Sequence, residues 1–86
     1  MKIAYSKSAV KALQRMDTPT RLRIKTAVEK LAEDPTKGDI KPMQGAFSGL
    51  YRLRVGGYRV IYHITADGNA QILFVDEIGA RGDIYK

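Results

Sequence analysis

The sequence predicts an α+β fold in which an N-terminal helical hairpin packs on one face of a small antiparallel β-sheet. Three observations lead there. Apolar residues recur at three-to-four spacing as far as Pro35 and at two-residue spacing after Gly49; Gly56-Gly57 joins two of the later segments; and a short strand-like run, Lys2 to Tyr5, precedes the first helix. The 86 residues make one domain, 1–86, whose modest core leaves room for a partner to matter.

Each element has its own signal. Ser6 is placed to cap a helix whose apolar positions are Ala9, Val10, Leu13 and Met16, with Asp17 closing it. Thr18 is read as the next cap, and Pro19 suits the first helical position because its missing amide hydrogen costs nothing there. Ile24, Ala27, Val28 and Leu31 then form one stripe, and Pro35 ends the helix at or just before Asp34. Two helices joined by so short a turn cannot bury both stripes alone, so they need a sheet. Residues 35–49, with two prolines and three glycines, read as a surface loop made basic by Lys37 and Lys41.

The later strands pair almost residue by residue. Leu50 to Val55 and Tyr58 to Ile64 flank a tight primed turn, setting Val55 across from Tyr58, Leu53 from Val60 and Tyr51 from Tyr62. That side packs on the helices. The other side presents Arg52, Arg54 and Arg59, with Arg54 directly opposite Arg59. Like charges in a cross-strand pair destabilise by roughly 0.2–1 kcal/mol. The side chains either splay into solvent or bind an anion, and a third arginine on the face favours the anion. Ala66 to Asn69 is the next turn, and Gln71 to Ile78 is an apolar strand expected to lie centrally. Gly79 to Lys86 closes the chain, its glycines suggesting a bend that returns Arg81 and Tyr85 to the sheet edge.

Composition narrows the chemistry. A net charge of +6 attracts an acidic macromolecule such as nucleic acid. Residues 1–48 hold ten Lys/Arg against five Asp/Glu, and residues 49–86 five against four. The surplus is therefore N-terminal, while the arginines suited to specific contacts are C-terminal. With no cysteine there is no disulfide or thiolate metal site, and no zinc, calcium, P-loop or dinucleotide pattern occurs, so no cofactor or metal is expected. The opening MKIAYSKSAV has no long apolar run, which makes a cytoplasmic protein without membrane attachment the default. Guanidinium forks match phosphate oxygens in pairs, so a site of arginines plus a phenol points to a phosphodiester.

His63 shares its alternation with Arg59 and Ile61; it reads as a buried or rim structural residue, with a nucleic-acid contact as the alternative. Asp76 and Glu77 are adjacent on a strand, where neighbours face opposite ways, so they are not expected to converge. A solvated strand end, or an ion pair with an arginine, is the expectation.

At YRLRVGGYRVIY and the closing IGARGDIYK, preceded by a strand, a helical hairpin and a basic loop, the chain resembles the RelE/ParE toxin superfamily, and its RelE-like branch in particular. The resemblance covers nearly the whole length. It implies a curved antiparallel sheet with two helices on one face. It also implies a type II toxin–antitoxin toxin, an endoribonuclease that enters the ribosomal A site and cuts mRNA without metal by attack of a 2′-hydroxyl on the adjacent phosphate. A cognate antitoxin is the implied second partner. Carried over by position, Arg59, Arg81 and Tyr85 are the catalytic candidates and Arg52 and Arg54 RNA-binding ones; the basic Lys37, Lys41 and Lys86 are added as RNA-binding candidates for their charge. Tyr85 would serve as base, Arg59 would hold the non-bridging oxygens, and Arg81 would stabilise charge, since a guanidinium with a pKa above about 12 is a poor acid. Some relatives carry a lysine near Leu50 and many a histidine at Ala80. A gyrase-inhibiting ParE-like toxin and a non-enzymatic RNA or ribosome binder are the alternatives.

Overall fold

The computed structural model describes residues 1–80. In chain order the elements are β1 (Lys2–Tyr5), α1 (Lys7–Gln14), α2 (Thr18–Glu33), β2 (Asp39–Pro42), a 3-10 turn (Gly45–Phe47), β3 (Tyr51–Val55), β4 (Tyr58–Asp67) and β5 (Ala70–Ala80). The strands form one sheet in the order β1-β5-β4-β3-β2.

Local chemistry accounts for the helices. Ser6 caps α1: its hydroxyl accepts from the Ala9 amide at 3.0 Å and also donates to the Asp76 carbonyl at 2.7 Å, so the cap anchors the helix to β5. The cap of α2 is Asp17 rather than Thr18, with extended backbone at Asp17 and proline at the first turn. Arg21 then reaches back from α2, donating from Nε to the Leu13 carbonyl at 3.0 Å and from Nη2 to the Met16 carbonyl at 2.9 Å. The Leu13 carbonyl belongs to the last turn of α1 and the Met16 carbonyl to the link after it, so Arg21 ties α2 to the end of α1.

The core lies between that hairpin and one face of the sheet. Ile24, Val28 and Leu31 of α2 meet Leu53, Val60, Leu73 and Val75, all at 2% exposure or less. Side chains of this kind each contribute about 1.5–3 kcal/mol on burial. The β3–β4 register is the expected one: Tyr51 faces Tyr62, Leu53 faces Val60, Arg54 faces Arg59 and Val55 faces Tyr58. Gly56, at φ 59°, takes the left-handed position of the two-residue turn between them.

In the sheet, three features depart from expectation. Residues 39–42 form an edge strand paired antiparallel with β3, although two prolines and three glycines around them read as loop. A four-residue edge strand needs only one partner, which supplies it with hydrogen bonds that no local propensity signals. The sheet is also mixed, because β1 runs parallel to β5 along Lys2–Ile72 to Tyr5–Val75. The intervening helices provide the crossover that a parallel pair requires. Finally, β5 continues through Gly79 and Ala80, two residues expected in the closing bend.

Candidate nucleic-acid interface

The face of the sheet turned away from the helices carries the charged residues. Pairing sets them in rows across the strands. Asp39, Arg54 and Arg59 form one row, and Lys41, Arg52 and Ile61 form the next. Arg54 and Arg59 thus sit directly opposite each other, as the alternation required.

What the sequence missed is the carboxylate of Asp39. On β2 it comes within 3.3 Å of Arg52 Nη2 and 4.0 Å of Arg54 Nε. An anion expected from outside is therefore supplied in part from within the chain. Arg52 is 7% exposed and Arg54 has 43% of its side chain exposed, so Arg52 is the anchored guanidinium and Arg54 the accessible one. Only the Asp-Ile-Lys-Pro alternation, with Ile40 facing Leu53, could have revealed this strand.

The basic residues outside β3 and β4 divide. Lys41 lies on β2 across from Arg52 and is brought to the row. Lys37 is in the turn before β2, held by its amide to the Asp34 carbonyl at 3.0 Å, and stays outside the ladder. Arg81, Tyr85 and Lys86 lie outside the described residues.

A second polar group lies one step further along the same face. His63 is across from Phe74, the rings 5.3 Å apart, and its Nδ1 shares a 2.7 Å hydrogen bond with Asp76 Oδ2. A β-bulge makes this possible. Ile61 pairs with Glu77 and Tyr62 with Val75, which leaves Asp76 as the extra residue on β5. Strict alternation consequently fails here: Val75 and Ile78, three apart, both face the core, and Asp76 and Glu77 between them do not. Among the described residues their side-chain partners are His63 and the Ser8 hydroxyl, which donates to Glu77 Oε2 at 2.8 Å. His63 accordingly sits half-buried at the rim, tied into the sheet.

Beside Arg52 the chain from Lys41 to Phe47 folds over to form a shallow recess, described further below. Among the described residues no group of three or more histidine and carboxylate side chains is arranged to hold a metal ion. No helix there is long and apolar enough to cross a membrane. The face can therefore hold anions by charge and forked hydrogen bonds, with a histidine–carboxylate pair at one end.

Comparison with known proteins places this geometry. The family model of the ParE toxin of type II toxin–antitoxin systems matches residues 3–85. Toxin RelE3 of Methanocaldococcus jannaschii is 34% identical over 71 residues, which is 78% of this chain and 80% of that protein. The archaeal RelE–RelB complex from Pyrococcus horikoshii OT3 contains a chain 28% identical, superposing with a TM-score of 0.73 over 95% of this chain and 96% of that one. The RelB–RelE complex from Methanococcus jannaschii gives 29% identity and a TM-score of 0.69, covering 95% and 94%. A YoeB/ParE toxin from Agrobacterium tumefaciens reaches a TM-score of 0.80 at 22% identity, over 94% of this chain and 99% of that one, a likeness of fold.

Proposed function

Because the chain belongs to the RelE/ParE superfamily of type II toxin–antitoxin toxins, we propose that it is a RelE-like endoribonuclease that cuts mRNA on the ribosome. The observation that carries this reading is the opposed Arg54–Arg59 pair on the face away from the helices, flanked by Arg52 and Lys41. Two facing guanidinium groups repel across the strands, and a phosphodiester would receive paired charge-assisted hydrogen bonds from them.

In the proposed reaction the 2′-oxygen of one nucleotide attacks the adjacent phosphorus. A new P–O bond closes a 2′,3′-cyclic phosphate, the bond to the 5′-oxygen breaks, and that oxygen takes up a proton from water as it leaves. Arg59 offsets charge on the non-bridging oxygens, Tyr85 accepts the 2′ proton in its phenolate form, which neighbouring arginines favour, and Arg81 stabilises the expanded phosphate. No metal ion enters these steps. Neither a guanidinium nor a phenol is a strong acid or base near neutral pH, so much of the rate must come from alignment of the message. That assigns the ribosome its part: it holds the nucleotides in line.

An antitoxin is the second proposed partner, since two of the similar structures are toxin–antitoxin complexes. An acidic one would complement the +6 charge. The whole reading is tested by mapping cuts in mRNA on programmed ribosomes with the intact protein, Arg59→Ala, Arg81→Ala and Tyr85→Phe. Cuts that each change reduces by about 100-fold or more are expected. The matching family model carries the ParE name, so DNA gyrase supercoiling is assayed in parallel. Inhibition of gyrase with no cut message would overturn the nuclease.

A further inference from the structure

The recess beside Arg52 has a construction that phosphate binding does not call for. Lys41, Pro42, Met43, Gln44, Phe47 and Arg52 line a cavity of about 280 Å³. That is just below the 300–1,000 Å³ range of pockets for drug-sized ligands and suits a single flat ring system. Phe47 is 40% exposed although it is among the chain's largest apolar side chains. The loop presenting it is set by its own backbone: the Met43 amide bonds the Leu50 carbonyl at 2.9 Å, the Leu50 amide the Phe47 carbonyl at 3.1 Å, and the Ser48 amide the Gly45 carbonyl at 3.1 Å. Arg52, anchored on Asp39, fixes the opposite wall. The recess is pre-organised, which lowers the ordering cost of binding.

We propose that this recess is a nucleobase site, taking one unstacked base of the RNA strand whose phosphates lie along Arg54, Arg59 and Lys41. Phe47 is the stacking wall and Met43 and Pro42 the apolar sides. The Gln44 amide is the one lining side chain that both donates and accepts, which suits it to read a base edge beside the donors of Arg52 and Lys41. The site rests on the reading of this face as an RNA surface, and adds to it a source of base preference that a row of arginines lacks, because phosphate contacts position a strand and base contacts specify it. The two rows are adjacent on the pleat: Arg52 and Arg54 are two residues apart on β3, roughly 7 Å along the strand. A base can enter beside Arg52 while its neighbouring phosphate is held at Arg54.

The test uses the whole protein and a short 2′-O-methyl oligoribonucleotide, which cannot undergo 2′ attack, alongside the same backbone bearing abasic sites. Affinities are read at low salt by fluorescence anisotropy, and the Gln44 side-chain amide by NMR. Phe47→Ala is expected to weaken the base-bearing oligonucleotide about tenfold and leave the abasic one unchanged. Phe47→Leu, which keeps the bulk without the ring, should weaken it too. Gln44→Ala should reorder the preference among oligo-A, -C, -G and -U. Equal losses on both backbones, no loss on either, or no oligonucleotide binding at all would overturn the site. So would a Gln44 amide that shifts only with an acidic peptide, the outcome if a protein partner fills the recess. If these binding differences hold while ribosomal mRNA is not cut, the base site stands and the nuclease reading falls; if mRNA is cut while the two backbones bind alike, only the base site falls.

Discussion

Arg52 can be buried because Asp39 is beside it. With a side-chain exposure of 8% against 56% for its partner, the guanidinium is the desolvated member of the pair and the carboxylate the wet one. Removing the carboxylate leaves a buried cation with less compensation, a cost reduced by the water already reaching Asp39. Asp39→Ala is expected to lower stability by about 1–2 kcal/mol, read as a lower urea midpoint at unchanged slope. Polyanion affinity should rise in the same variant, since a competing anion has gone from the row. Tyr62 gives a residue-scale prediction of the opposite kind. Burial, with a smaller contribution from the stacked Tyr51, pushes its phenol up to about 12. The unfolded chain ionises first, near its ordinary value of about 10, so folding stability is intact below that pH and falls as pH rises towards 12. Urea melts across this window should show a shallower alkaline loss for Tyr62→Phe than for the parent chain.

At the scale of elements, β2 depends on the turn that delivers it. Gly38 adopts φ 103°, and a Cβ there would stand 2.7 Å from Leu53 Cδ1, so both backbone and packing demand glycine. Gly38→Ala should cost about 1–3 kcal/mol, and hydrogen exchange should show β2 opening before the rest of the sheet. Asp39 would leave the arginine row with it. The strand was illegible in the sequence because Gly38 before it, Pro42 at its end and Gly45 beyond it look like loop, and its hydrogen bonds come from β3, 13 residues away at the Asp39–Arg52 contact. The β3–β4 hairpin was legible, because the Gly56-Gly57 turn fixes the register and period-two alternation then assigns every face. At the Asp76 bulge the same rule fails. One extra residue turns the pattern over, and the carbonyl of that residue accepts from Ser6, 70 positions earlier in the chain.

For the molecule as a whole, charge and topology combine. Most of the +6 surplus comes from the N-terminal half, but the sheet order sets Lys41 of that half beside the arginines of the other. A long-range field and a specific row of guanidinium groups thus occur in one small body. Binding to single-stranded RNA should therefore weaken steeply with salt, and Arg54→Ala should lower the slope of log affinity against log salt by about 0.7, the share of one phosphate contact. An unchanged slope in that titration would place the strand elsewhere on the surface.

The sequence by itself determined the helical hairpin, the β3–β4 register, the arginine-bearing face and the overall positive charge. The charge is a matter of composition, and the other three follow from neighbours within a few positions, where spacing, caps and turn residues act directly on the backbone. The tertiary structure alone decided that β1 lies parallel to β5, that Asp39 neutralises Arg52, that Asp76 turns to His63, and that the chain from Lys41 to Phe47 closes a recess over Arg52. These contacts join groups whose separation along the chain carries no periodic signal. They form because pairing the strands and packing the hairpin on the sheet bring these groups within reach of one another.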